Sequence, residues 1–222
     1  NAKLYKAKDE TKDQSYFLFA TLKEQLDYVR FPLGDFLKSE IREMAKNFNL
    51  VVSDKPDSQD ICFVSSKSYR EFLEKLKPDL NTVGDFKDSL GNFLGKHKGI
   101  ANYTIGQRKG LGIGGSEFPL YVININKKNN EVILGYQGLL KKTKISLENV
   151  NWLDKSIVTK DLKCSAKIRS TQKEDTGILN INSKKAEFIF DYEINTTSPG
   201  QACVFYLKDQ VLGGGWITKT SN

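Results

Sequence analysis

The sequence predicts a multidomain α+β chain whose helices come first and whose last part is a small β-barrel. Three observations predict it. Helix signals, with capping boxes and apolar residues at 3.6-residue spacing, fall before Pro78. Beyond that point Gly84, Gly91, Gly95 and Gly99 punctuate short segments. In the last third, short runs alternate apolar and polar side chains, the period of half-buried strands. The change in composition places a boundary near residues 64 to 68.

The elements follow in order. Thr11-Lys12-Asp13-Gln14-Ser15 is a polar turn ahead of the aromatic run Tyr16-Phe17-Leu18-Phe19. Thr21 and Glu24 form a capping box, so a helix is expected from there to about Arg30, broken by Phe31-Pro32-Leu33-Gly34. Leu37, Ile41, Met44, Ala45 and Phe48 share a helix face, with Asn49 as the stop. Leu50-Val51-Val52 reads as a short extended piece. Helices and extended pieces in this order suggest the tail of an α/β domain whose earlier part is missing, and a start at Asn1 without methionine reads as a cut through something longer. Ser68 and Glu71 make another capping box, with Tyr69, Phe72, Leu73 and Leu76 on one face.

Leu120–Ile125 and Glu131–Gly135 flank Asn126-Lys127-Lys128-Asn129-Asn130, a hairpin signal. Lys141, Lys142 and Lys144 read as a basic, solvated linker. Cys164, Ala166 and Ile168, then Ile178–Ile181, Phe188–Phe190, Ala202–Leu207 and Val211–Ile217, read as the strands of a small barrel. Cys164 and Cys203 lie inside strands, where a thiol packs as a small hydrophobe.

Composition narrows the function classes. At 39% hydrophobic and 11% aromatic residues the chain can build a real core, and no run approaches the ~20 apolar residues of a membrane span. Asn1–Glu10 is polar and charged, unlike a signal peptide. Lys and Arg exceed Asp and Glu by 34 to 27, which suits either a polyanionic partner or an ordinary lysine-rich surface. The three cysteines, Cys62, Cys164 and Cys203, form no CxxC pair, and His97 is the lone histidine. No metal site is therefore expected, and an odd cysteine count without an export signal points to the cytoplasm.

Two stretches draw the eye to chemistry. Asp57-Ser58-Gln59-Asp60-Ile61-Cys62-Phe63-Val64 sets a thiol just after a polar turn. That suits a reactive thiol and a small core residue alike. Tyr103-Thr104-Ile105-Gly106-Gln107-Arg108-Lys109-Gly110-Leu111-Gly112-Ile113-Gly114-Gly115 is dense in glycine. It matches neither GxxxxGK[ST] nor a GxGxxG that opens a helix, because a strand follows. Either it brings backbone close to a phosphate or it is a tight β-connection.

Read together, Lys12-Asp13-Gln14-Ser15-Tyr16-Phe17-Leu18, the Asp57–Val64 stretch, the Gly106–Gly115 loop and Ser198-Pro199-Gly200-Gln201-Ala202-Cys203-Val204-Phe205-Tyr206 with Leu212-Gly213-Gly214-Gly215 resemble the tRNA-specific 2-thiouridylases, the MnmA/TrmU family. The resemblance runs from the first residue to the last. It implies that 1–65 is the C-terminal remnant of an α/β PP-loop ATP-pyrophosphatase domain (adenine nucleotide alpha hydrolase-like), 66–137 a small central domain and 138–222 a C-terminal β-barrel. The family's SGGxDS phosphate loop and the first of its two active-site cysteines, which would form the catalytic disulfide, are not in this sequence.

The implied activity is ATP-dependent 2-thiolation of the wobble uridine (U34) of tRNA. ATP adenylates the C2 oxygen, and sulfur from a cysteine persulfide replaces it. Cys62 stands at the persulfide position, fed by a sulfur-relay donor protein. The implied tRNA contacts are Lys12, Asp13, Gln14, Arg169, Ser170 and Gln201. Ser170 departs from the family pattern, which has an aromatic there, so a stacking contact is lost. The chain without its ATP site is expected to be inactive alone, and the alternative is a non-catalytic tRNA-binding module. No membrane partner is expected.

Overall fold

The computed structural model describes residues 2–55, 81–156, 160–182, 185–195 and 197–222. Cys62 and the helix expected from Ser68 lie outside the described residues. The chain forms two units, Asn1–Asp57 with Thr143–Glu193 and Pro199–Asn222, and Ser58–Lys142 with Ile194–Ser198.

The N-terminal segment holds β1 (Leu4–Tyr5), α1 (Ser15–Leu18), α2 (Lys23–Leu26) and α3 (Lys38–Asn47). The helix expected from the Thr21 box starts one residue later. Thr21 N–H closes the turn of α1 onto Leu18 O, and the Gln25 side chain accepts from Leu22 N–H at 2.9 Å. It also stops at Leu26 rather than Arg30, because Tyr28 and Val29 both turn back onto Gln25 O and the Arg30 guanidinium caps the Asp27 and Val29 carbonyls. α3 is as expected, and Asn49 ends it with φ of 54°, the left-handed stop asparagine tolerates. Leu50–Val52 is not extended: Ser53 N–H returns to Leu50 O and Lys55 N–H to Val52 O, a pair of turns with no strand paired to them among the described residues.

In the second unit β2 (Gly84–Lys87), β3 (Phe93–His97), β4 (Tyr121–Asn126) and β5 (Glu131–Gly135) form a sheet ordered β3-β2-β5-β4. β2 and β5 run parallel, and the other pairs are antiparallel. The expected hairpin joins β4 to β5, with Asn130 at φ of 53°. Phe86, Ile100, Leu111, Val122, Val132 and Leu134 form the core.

His97 is part of that core. Only 1% exposed, it packs edge-on to Phe86 and Tyr103. Its Nδ1 accepts from Gly99 N–H at 3.0 Å, so Nε2 carries the proton and donates to Asn130 O at 3.1 Å. Burial holds its pKa below the ordinary 6.5, against the raising effects of the Asn130 carbonyl and the Asp85 charge. The folded state thus binds this proton less readily than the unfolded chain. The His97 contribution is complete above the unfolded pKa and is lost as pH falls below it. Thermal unfolding from about pH 7.5 to pH 5 is expected to show this loss, at no more than about 1.4 kcal/mol per pH unit for one proton. His97→Gln should flatten it, and a profile unchanged by that substitution would refute the assignment.

The barrel comprises β6 (Lys141–Trp152), β7 (Asp161–Lys167), β8 (Asp175–Asn182), β9 (Lys185–Asn195), β10 (Ala202–Leu207) and β11 (Gln210–Ser221). The order β11-β10-β7-β8-β9-β6 closes by β6 pairing with β11, and β1 adds to the outer side of β11. Lys141, Lys142 and Lys144 are therefore no linker. They begin the 12-residue strand that closes the barrel, and Lys144 pairs with Glu187 on β9 at 2.8 Å. Strand pairing of the lysine backbones overrides what side-chain polarity alone suggests.

β10 is buried on both faces, which explains its unbroken apolar run. Ala202, Val204 and Tyr206 meet Leu4, Tyr16, Phe19 and Leu26 of the N-terminal segment. On its other face, Phe205 stacks on Phe188 and Trp152 at centroid distances of 6.2 and 5.7 Å. The Asn151 side chain on β6 donates to Phe19 O and Thr21 O at 2.7 and 2.8 Å, tying the same segment to the barrel.

Candidate nucleic-acid interface

The Thr11–Ser15 turn is built by Asp13. Its carboxylate accepts from Ala7 N–H and Ser15 N–H, each at 3.1 Å, and from the Ser15 hydroxyl at 2.7 Å. Asp13 is thus spent on shaping the turn, and the side chains it presents outward are Lys12 and Gln14, both exposed. The Ser15 hydroxyl lies 3.3 Å from the Tyr206 hydroxyl on β10, and Tyr16 donates to Ala202 O at 2.9 Å. The turn is therefore bolted to the barrel wall.

Residues far apart in sequence meet there. Asp13 and Gln14 from the turn, Phe17 from α1, Lys167 at the end of β7, and Ser170 and Lys173 from the β7–β8 connection line one cleft of about 610 Å³. Arg169 lies close enough for its charge to act on Tyr16, whose phenol burial nevertheless pushes up to about 12. The β10–β7 register pairs Val204 with Lys167 and Phe205 with Ala166. Ala202, which follows Gln201, meets the same Tyr16 through its carbonyl. Gln201 is exposed, and its backbone carbonyl is held by Ile217 N–H at 2.8 Å. Five of the six contact residues expected from the resemblance thus present themselves around one part of the barrel, and Asp13 supports them from within.

One functional candidate escapes a reading of the sequence. Phe17 is 60% exposed beside the buried Tyr16, so an aromatic face opens on the cleft where Ser170 supplies none. Adjacent aromatics in a run give no clue to which one faces out, because a single helical turn splits them. Lys6, although it lines the cleft, is committed to Glu174 and to the Tyr206 ring. A second cleft, of about 830 Å³, is lined by β6, β8, β9, β11 and the start of β7, and two of its three carboxylates, Glu187 and Glu148, are paired with Lys144 and Lys185.

Neither described cysteine is reactive. Cys164 and Cys203 are 6% and 0% exposed. Burial pushes the Cys164 thiol up to about 12, and the Cys203 thiol is raised as well, first by burial and then by Cys164. Both are core residues, as expected. Among the described residues there is no cluster of side chains that could hold a metal ion, and no helix is long and apolar enough to cross a membrane.

Comparison with known proteins completes the picture. Residues 1–66 match the model of a tRNA methyl transferase HUP domain, 70–136 that of a tRNA methyl transferase PRC-barrel domain, and 142–217 that of an aminomethyltransferase beta-barrel domain. The expected fold class, part of an α/β domain followed by a central domain and a barrel, holds. The chain is similar to the tRNA-specific 2-thiouridylase MnmA of Wolbachia sp. subsp. Drosophila simulans (strain wRi), 49% identical over 97% of the chain and 58% of the relative. To that of Ehrlichia canis (strain Jake) it is 48% identical over 96% of the chain and 58% of the relative. To that of Rickettsia massiliae (strain Mtu5) it is 46% identical over 98% and 60%. The chain spans about three fifths of the length of these curated relatives. With three domain models matched in order and nearly half of its residues shared along almost its whole length, this chain belongs to the family of the tRNA-specific 2-thiouridylases, MnmA.

Proposed function

We propose that this chain holds tRNA and carries the sulfur in ATP-dependent 2-thiolation of the wobble uridine. The observation that carries the RNA half of this reading is that Gln14, Phe17 and Ser170 line one cleft while Arg169 and Ala202, the neighbour of Gln201, both approach Tyr16 beside it. Cations, amides and an exposed ring suit a folded RNA: phosphates take charge-assisted bonds, and an unstacked base takes the aromatic face. Lys12 and Arg169 serve phosphates, and Gln14 and Gln201 hydrogen-bond without charge. Phe17 offers the stacking surface that Ser170 lacks.

The sulfur half rests on Cys62, the remaining cysteine once Cys164 and Cys203 are placed in the core. ATP activates the C2 oxygen as an adenylate, with pyrophosphate released. The terminal sulfur of the Cys62 persulfide then bonds to C2 as AMP leaves, and the thiol of a second cysteine, the first active-site cysteine of the family pattern, attacks Cys62 Sγ, breaking the S–S bond to free the 2-thiouridine and leaving a disulfide with Cys62. A persulfide suits this step because it is a stronger nucleophile than a thiol. The donor is a relay protein bearing a persulfide of its own, and the setting is the cytoplasm. Two of the matched domain models are described as methyl transferase domains, whereas the curated relatives are named for thiolation. The cysteine in the Asp57–Val64 stretch, at the persulfide position of the family pattern, favours sulfur.

The SGGxDS loop does not occur among the 222 residues, so this chain by itself is expected neither to bind ATP in the micromolar range nor to turn it over. It is expected to bind tRNA without ATP. Filter binding at several salt concentrations tests both parts of the interface. Arg169→Ala should flatten the dependence of log affinity on log salt by somewhat under one phosphate contact, about 0.7 to 0.9. Gln201→Ala should weaken binding and leave the slope alone. If both variants match the unmutated chain at every salt, the barrel is not the tRNA surface. Binding without thiolation by the longer protein would favour the non-catalytic module instead.

A further inference from the structure

The positive charge of the chain is not spread evenly. Residues 1–80 carry fourteen Lys and Arg against fourteen Asp and Glu, and residues 143–222 carry eleven against nine. Residues 81–142 carry nine against four, so the second unit holds +5 of the +7. Of the four acids among residues 81–142, Glu117 is exposed and two are already neutralised, Asp85 by Lys96 at 2.5 Å and Glu131 by Lys87 at 2.6 Å. A third, Asp88, accepts from Leu90 N–H and Asn92 N–H in its own turn.

The Gly106–Gly115 loop presents this charge in an unusual form. Its base is fixed: Gly106 N–H donates to Val122 O at 2.8 Å and Val122 N–H to Gln107 O at 2.9 Å. The Gln107 side chain accepts from Thr104 N–H and donates to Lys109 O, closing the turn. Leu111 is buried and Ile113 packs against the same core. Leu111 and Ile113 point inward, and the alternate positions, Gly110, Gly112 and Gly114, are exposed.

Nothing inside the protein calls for a bare backbone at Gly114. A Cβ there would meet nothing within 4 Å, and its φ lies outside the left-handed region. The amides of Gly110, Gly112, Gly114 and Gly115 have no backbone acceptor among the described residues. The exposed Arg108 and Lys109 beside them have no ion pair there. Free amides next to unpaired cations, with no side chain in the way, make a surface for an anion that approaches closely.

We propose that this loop docks the phosphodiester backbone of the RNA substrate, with Arg108 and Lys109 neutralising phosphates and the amides of Gly110, Gly112 and Gly114 bonding to their oxygens. This rests on the tRNA reading above and extends it to the second unit. It makes the central part of the chain the main source of sequence-independent affinity, while the barrel surface supplies hydrogen bonds and stacking.

The test is fluorescence anisotropy of the 222-residue chain with a labelled tRNA transcript, from about 50 to about 400 mM KCl. Arg108→Gln with Lys109→Gln should flatten the log–log salt slope by about 1.4 to 1.8 and weaken binding about 25- to 60-fold near 0.1 M, for two lost phosphate contacts. Lys127→Gln with Lys128→Gln removes as much charge from the β4–β5 hairpin and should change the slope far less. Gly114→Ala should leave the melting temperature unchanged and weaken binding several-fold. If the chain binds the transcript with a steep slope that the loop pair does not change, or that both pairs flatten alike, the loop proposal falls and the tRNA reading stands. If the unmutated chain binds no tRNA at the lowest salt, both fall. Inorganic phosphate at matched ionic strength should not displace the RNA; displacement would make the loop a site for free anions and overturn the proposal.

Discussion

Cys62→Ser, introduced into a full-length family protein that contains this chain, is expected to abolish 2-thiouridine formation, by more than about 10³-fold, as loss of a covalent nucleophile does. The hydroxyl is nearly the size of the thiol but holds no sulfane sulfur, so tRNA affinity and thermal stability should stay close to those of the unmutated protein. The two barrel cysteines provide the contrast. Cys164→Ser and Cys203→Ser should retain thiolation in the fraction that stays folded, because neither thiol ionises near neutral pH. Cys203→Ser buries a hydroxyl at a fully enclosed site and should cost about 1–3 kcal/mol of stability. Mass spectrometry of digested tRNA and thermal melts of the three variants separate chemistry from packing. Undiminished 2-thiouridine from Cys62→Ser would remove the persulfide role.

How much of this was legible beforehand depends on the period of each segment. α3 could be read because five apolar residues recur on one helical face and Asn49 closes it with a left-handed turn. The hairpin at Asn126–Asn130 could be read because turn-forming residues separate two β-prone runs. β6 could not, since Lys141, Lys142 and Lys144 hide a strand whose burial is decided by partners on β9 and β11 far away in the chain. Leu50–Val52 differs for the opposite reason: β-branched residues invite a strand, but among the described residues no neighbour pairs its backbone with theirs. The interface shows the same division. The motif residues were visible, whereas the shaping of the Lys12–Gln14 turn by Asp13, the exposure of Phe17 and the meeting of Arg169 and Ala202 at Tyr16 arise only when the N-terminal segment packs on the barrel. Net charge was visible too, but its concentration in residues 81–142 matters because three of the four acids there, all but Glu117, prove to be occupied.

Gly213→Ala is expected to produce the largest loss of stability in the barrel. Gly213 sits at φ of 146° on β11, opposite Trp152 on β6, at the seam where the barrel closes. A Cβ built there lies 2.1 Å from Asn151 O and 3.1 Å from Trp152 Cα, so the obstacle is backbone that cannot rotate away. The strands must separate locally, and with them the Asn151 side chain that holds Phe19 O and Thr21 O. Backbone strain of about 1–3 kcal/mol and overpacking of a similar size combine to about 3–5 kcal/mol, a drop of roughly 10 °C or more in melting temperature for a chain of this length. Gly106→Ala separates the two causes, since its φ of 89° carries strain while a Cβ there meets nothing within 4 Å; it should cost only about 1–2 kcal/mol. Because the Thr11–Ser15 turn hangs from the same wall through Tyr16 and Ala202, Gly213→Ala should also weaken tRNA binding without changing its salt slope. A variant as stable as the unmutated chain would mean that β6 and β11 do not meet at Gly213.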